Sequence, residues 1–216
     1  MENIILNTKK ALERNNMDCF VVQTKQDALQ LLKQLLKENA SVAVGGSVTL
    51  NSVGVIDLLR CGEYNFIDRY ESGISPEETQ DRLRKGLLAD YFICSSNAIT
   101  KDGCLYNVDG TGNRVAALCF GPKNVIVIAG KNKIVENLDE AQLRVKSVAA
   151  PQNCVRLGLE SYCSKTGKCI SLNDKNAPIY NGCASDSRIC CTHVISARQR
   201  IKGRIKVILV NEDLGY

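Results

Sequence analysis

Short, unbroken apolar runs recur along this chain and alternate with stretches of helical period, a combination that few folds other than a parallel sheet between helices accommodate. Val125-Ile126-Val127-Ile128-Ala129 and the run from Ile205 to Val210 read as strands buried on both faces, and Cys19–Val22, Ser41–Val44, Tyr64–Ile67 and Tyr91–Cys94 as further short strands. Between them, apolar spacing predicts helices over 3–15, 25–38 and 138–149. Thr49 is read as the cap of a helix running toward Leu59. Ser75-Pro76-Glu77-Glu78 opens another, with Pro in the first turn and acids at the positive end of the dipole. The expected fold class is α/β with a mainly parallel sheet.

A length of 216 residues suits one domain, 1–216, able to bury its own core. Hydrophobic residues at 44% and charged residues at 24% are ordinary globular usage, which argues against a fibrous or disordered chain. A net charge of +5 is a mild bias, and with 5% aromatics and no Trp it gives no support to nucleic-acid binding. No apolar run approaches membrane-spanning length, and Ile4-Ile5-Leu6 is too short for a signal-peptide core, so no membrane association and a cytoplasmic location are expected.

Cysteine is the abnormal component, with 11 in the chain. Cys19, Cys61, Cys94, Cys104 and Cys119 are scattered and read as small packed residues, whereas Cys154, Cys163, Cys169, Cys183, Cys190 and Cys191 crowd the stretch 154–191. That stretch is too polar to form its own core, and a long loop in a compact domain is usually functional or stapled. The spacing Cys163-x5-Cys169-x13-Cys183-x6-Cys190 offers four thiolates, enough for an iron-sulfur cluster or zinc. Irregular spacing favours the cluster, with zinc and unmetallated thiols as alternatives, and either Cys190 or Cys191 could supply the last ligand. Cys154 reads as a packed helical residue. His193, the only histidine, shares a strand face with Cys191, but a lone strand histidine is more often simply hydrogen-bonded than paired with a nucleophile.

Several polar, glycine-bearing segments follow directly on predicted strands: Gly45-Gly46-Ser47-Val48-Thr49, Ser95-Ser96-Asn97-Ala98 and Gly130-Lys131-Asn132-Lys133. In open parallel sheets, ligands bind beyond the carboxyl ends of the strands. Asp109-Gly110-Thr111-Gly112-Asn113-Arg114 adds backbone amides and a guanidinium able to grip a phosphate or carboxylate. The expected site for an anionic small molecule is therefore Gly45, Gly46, Ser47, Thr49, Ser95, Ser96, Asn97, Asp109, Gly110, Thr111, Gly112, Asn113 and Arg114. Arg114 is the expected anchor, with a structural salt bridge as its alternative role. Asp102 is also expected near the cleft, while Glu212 and Asp213 are read as solvating the end of the last strand. The glycine segment 110–115 lacks the third glycine of the dinucleotide fingerprint, and Thr166-Gly167-Lys168-Cys169 lacks the earlier glycine and the hydroxyl of a P-loop, so neither nucleotide fold is indicated.

Gly45-Gly46-Ser47-Val48-Thr49, Gly86-Leu87-Leu88-Ala89-Asp90, Ser95-Ser96-Asn97-Ala98-Ile99 and above all Asn107-Val108-Asp109-Gly110-Thr111-Gly112-Asn113-Arg114 resemble the LUD-domain family, named for lactate utilization, over nearly the whole chain. The resemblance implies a three-layer α/β/α fold like that of ribose-5-phosphate isomerases, glucosamine-phosphate deaminases and coenzyme A transferases. The ending, including Ser187-Arg188-Ile189-Cys190 and Val207–Gly215, is similar to a cysteine-bearing LUD subgroup whose pattern resembles C-x5-C-x2-C-x6-C; here the middle spacing is stretched to 13 residues. It implies a role beside iron-sulfur oxidoreductase subunits that convert lactate to pyruvate.

Three functions are open at this point. The first is a redox-associated LUD protein binding a small anionic metabolite and a metal centre. The second is a non-redox isomerase or transferase acting on a sugar phosphate or CoA ester. The third is a non-catalytic binding or scaffold subunit.

Overall fold

The computed structural model describes residues 2–216. Its main sheet has six strands, β1 (Asp18–Val22), β2 (Ser41–Val44), β3 (Asn65–Phe66), β4 (Tyr91–Cys94), β7 (Asn124–Gly130) and β10 (Ile205–Val210), in the order β1-β10-β7-β4-β2-β3. Every pairing in it is parallel. A second sheet joins β5 (Ala98–Thr100), β6 (Leu105–Asp109), β8 (Ile134–Val135) and β9 (Thr192–Ser196) in the order β8-β5-β6-β9, with antiparallel β5/β6 and β6/β9 pairs.

Strand periodicity divides the central runs between two cores. Val125, Val127 and Ala129 face α1 (Glu2–Arg14) with Val207 and Leu209, while Ile126 and Ile128 face α2 (Lys25–Leu35), α3 (Val48–Val53) and α4 (Val55–Leu59) with Ile208 and Val210. All of these strand residues are buried, which is why the runs carry no polar alternation. Each fully buried branched side chain contributes about 1.5–3 kcal/mol. Helices on both faces of a parallel sheet make the three layers of an α/β/α fold.

Local signals were obeyed closely in α5 (Pro76–Lys85), where Ser75 and Glu78 form a reciprocal capping box behind the first-turn proline. The helix after β2 differs from expectation. Ser47, not Thr49, caps α3 by accepting from the Leu50 amide, and the helix is interrupted at Gly54 before α4. Thr49 is thereby buried inside the turn, with its hydroxyl available to the cleft side. The helix expected over 138–149 runs as α7 (Leu138–Arg144), a π-helical stretch Val145–Ala149, and α8 (Ala150–Arg156). Pro151 has no amide to donate into the preceding turn, and the wider π turn accommodates that loss. The remaining helices are α6 (Asn113–Cys119) and α9 (Tyr162–Thr166). Among the described residues, no helix is long and apolar enough to cross a membrane.

Candidate functional site

The carboxyl ends of β2, β4 and β7 open on one side of the main sheet, and the end of β6 from the second sheet meets them there. The cleft so formed holds about 230 Å³, room for a small metabolite. Its wall includes Gly46, Ser47 and Thr49 after β2, Ser95, Ser96 and Asn97 after β4, and Asp109, Gly110, Thr111, Asn113 and Arg114 after β6. Of the expected residues, only Gly45 and Gly112 do not line it. Gly45 sits immediately behind, against the Arg114 side chain and Cys94, and Gly112 precedes α6.

Arg114 is not free to grip a ligand. Its Nε donates to Asp109 Oδ1 at 2.9 Å, one terminal nitrogen donates to Ser95 O and Asn107 Oδ1, and the other to Asn97 Oδ1, Val108 O and Asp109 Oδ1. Asp109 Oδ2 in turn accepts from the Val115 amide at 3.0 Å, serving the first turn of α6, where Gly112 supplies no side-chain cap. The guanidinium thus ties the ends of β4 and β6 together and fills the role given above as its structural alternative.

Two basic residues outside the expected site list are differently placed, Arg69 and, within the 130–133 segment already singled out, Lys133. Arg69, in the loop after β3, lines the cleft, stacks 5.3 Å from the Tyr70 ring, and has a buried Nε without a hydrogen-bond partner. Its position beyond the carboxyl end of a parallel strand was the available signal. Lys133 is only 2% exposed, and its Nζ donates to Thr49 Oγ1 at 2.9 Å and Ser95 Oγ at 3.0 Å. Burial, then the neighbouring Arg144 and Arg114 charges, push its pKa down to about 7. With Arg156, four basic side chains line the cleft (Arg69, Arg114, Lys133, Arg156) against the carboxylate of Asp109, which Arg114 already occupies.

The end of the chain braces this floor. Thr49 donates to Leu214 O, Asn132 accepts from the Leu214 amide and donates to Gly215 O, and Tyr216 lines the cleft. The backbone of this segment passes so close that a Cβ on Gly130 would lie 2.5 Å from Leu214 N. Glu212 accepts from the Lys25 amide, and Asp213 lines a separate, open pocket, so neither enters the cleft. Asp102 lies outside it too: it sits in the β5–β6 turn, where Asn15 of the α1 C-terminal end holds its carbonyl.

Cys163, Cys169, Cys183 and Cys190 all line a second, almost wholly apolar pocket together with Tyr106, Lys146 and His193. Cys154 is buried in α8 with its Sγ 3.8 Å from that of Cys163. His193 Nδ1 lies 2.8 Å from the Tyr106 hydroxyl, and its Nε2 is buried without a partner. Burial lowers the His193 pKa and raises that of Cys190. Cys191 is exposed and meets the Arg188 carbonyl instead. The donor chemistry of the pocket fits a thiophilic metal. Among the described residues, however, no three His, Cys, Asp or Glu side chains are grouped as a metal site. The free space is about 20 Å³, room for a single ion, so a cluster requires the loop to move outward.

A profile of the LUD domain matches residues 5–210. The chain belongs to the LUD-domain family. A crystal structure of a DUF162 family protein from Deinococcus radiodurans superposes on this LUD domain with a TM-score of 0.53 at 14% identity, covering 97% of this chain and 98% of that one. That likeness shows the fold. No curated protein matches the chain.

Proposed function

We propose that this LUD-domain protein binds a small anionic metabolite in the cleft, holds a thiolate-bound metal centre in the cysteine pocket, and serves 2-hydroxy acid redox metabolism of the lactate-utilization kind. The observation that carries the first element is the unmatched charge of Arg69 and Arg156 around a cleft whose carboxylate is already paired. An anion entering it gains charge-assisted hydrogen bonds without breaking an existing ion pair. Calorimetric titration with lactate, sugar phosphates and CoA tests this. Arg69→Ala is expected to weaken the ligand that binds by about ten- to a hundredfold, the equivalent of about 1.5–3 kcal/mol. Equal affinities for wild type and variant, or no binding of any anion, overturn the assignment.

For the metal centre, the four thiols that share the pocket are the candidate ligands, and an iron-sulfur cluster there supplies one-electron transfer to an oxidoreductase partner subunit. Because the donors are not pre-grouped and the space between them holds only a single ion, cluster binding should be coupled to a rearrangement of the loop. Anaerobic reconstitution with iron and sulfide is expected to produce a charge-transfer absorption that Cys183→Ser weakens. Zinc uptake without that band replaces the cluster by the alternative metal, and failure of both metals to bind removes the centre.

One observation favours the non-redox reading, an isomerase or transferase. A buried amine beside two hydroxyls, Lys133 with Thr49 and Ser95, suits proton transfer and needs no metal.

A further inference from the structure

The hydrogen bonds around Lys133 leave one valence of its buried Nζ without a protein partner. Thr49 directs its own hydroxyl proton to Leu214 O, and Thr49 Oγ1 and Ser95 Oγ both accept from Nζ. A neutral amine has two hydrogens, one for each, and a lone pair left over. An ammonium would have a third N–H with no protein partner in a position that is 2% exposed. The third valence of Nζ is therefore open, and the residue lines the cleft. The charges of Arg144 and Arg114 disfavour a further positive charge on it, the buried Cys94 thiol acting the other way, and Arg144 is itself held by the Asn132 and Asn97 carbonyls.

We infer that Lys133 is a nucleophile that forms an imine with a small carbonyl compound carrying an anionic group. The substrate class rests on the anion cleft proposed above: the anionic end meets Arg69 and Arg156, and the carbonyl carbon meets Nζ. The lone pair of Nζ adds to that carbon, the carbonyl π pair moves to oxygen, and oxygen takes up a proton that nitrogen gives up. The resulting carbinolamine forms the C=N bond as its hydroxyl leaves with a second proton as water. The balance is amine plus carbonyl giving imine plus water, with no oxidant or reductant. A buried, deprotonated lysine is the form that performs this addition near neutral pH.

Trapping tests it. The full chain is incubated with glyoxylate, pyruvate or glyceraldehyde 3-phosphate, reduced with sodium borohydride, and analysed by intact mass and peptide mapping, with calorimetry of the same compounds run in parallel. The expected result is one reduced adduct on Lys133, saturating with ligand, suppressed by an excess of a non-carbonyl anion that binds, and absent in Lys133→Arg. Its rate should rise about eightfold between pH 5.5 and 6.5 and level off above pH 8, because the amine titrates at about 7. The peptide map of the wild type localises the adduct even where the variant folds poorly. Adducts spread evenly over surface lysines, or none at all while the anions still bind by calorimetry, overturn the imine and leave the cleft assignment standing. Absence of both adduct and binding overturns the two together.

Discussion

Arg114→Met is expected to cost about 3–5 kcal/mol of folding stability, the range for leaving one member of a buried ion pair uncompensated. Arg114 and Asp109 are each about 10% exposed at the side chain, so solvent does little to replace the lost partner. The substitution strands Asn107 Oδ1, Ser95 O and Val108 O as well, three buried acceptors that the guanidinium now serves. Arg114→Lys retains the charge but lacks the planar fork, so it should fall between wild type and Met. Denaturant midpoints measure the three proteins directly. Wild-type stability in Arg114→Met, combined with lost anion binding, would return Arg114 to the role of ligand anchor and remove the structural one.

Gly103→Ala is expected to destabilise by about 2–5 kcal/mol, combining overpacking of about 1–3 kcal/mol with about 1–2 kcal/mol for a left-handed backbone carrying a side chain. Gly103 has φ +89 in the β5–β6 turn, and an added Cβ would lie 2.6 Å from Ala11 C and 2.7 Å from Leu12 N, both backbone atoms of α1. A helix backbone in a buried segment cannot step aside as a flexible side chain can. For a chain of this size the melting midpoint should fall by roughly 4–20 °C. Since the turn packs on α1, away from the cleft, the folded fraction should keep its affinity for anions. A melting midpoint equal to that of wild type would show that the second sheet does not depend on this contact.

The second sheet was the largest part of the fold that periodicity did not reveal. Its strands β5 and β8 span three and two residues, too short for a period to register. Their pairing is set by contacts remote in sequence, such as Ile99 with Ile134. The cysteine segment shows the opposite case. Its composition marked 154–191 as abnormal, and the four selected thiols do share one pocket, because a polar segment without a core packs around whichever apolar groups it has.

What the sequence determined by itself was everything carried by local chemistry. Unbroken apolar runs made the strands of the main sheet two-sided, Ser75 and Pro76 started α5, and polar glycine segments after strands marked the carboxyl edge where the cleft lies. What only the tertiary structure decided was which cations are free. Arg114 looked like the anchor because it stands alone among the glycines, yet Asp109, Asn97, Asn107 and two carbonyls consume its donors. Arg69 gained its prominence from the partner its Nε lacks, and Lys133 from its burial between two hydroxyls. Whether a charged group is satisfied depends on atoms brought close by folding from Thr49, Ser95 and Leu214, and no spacing along the chain encodes those distances.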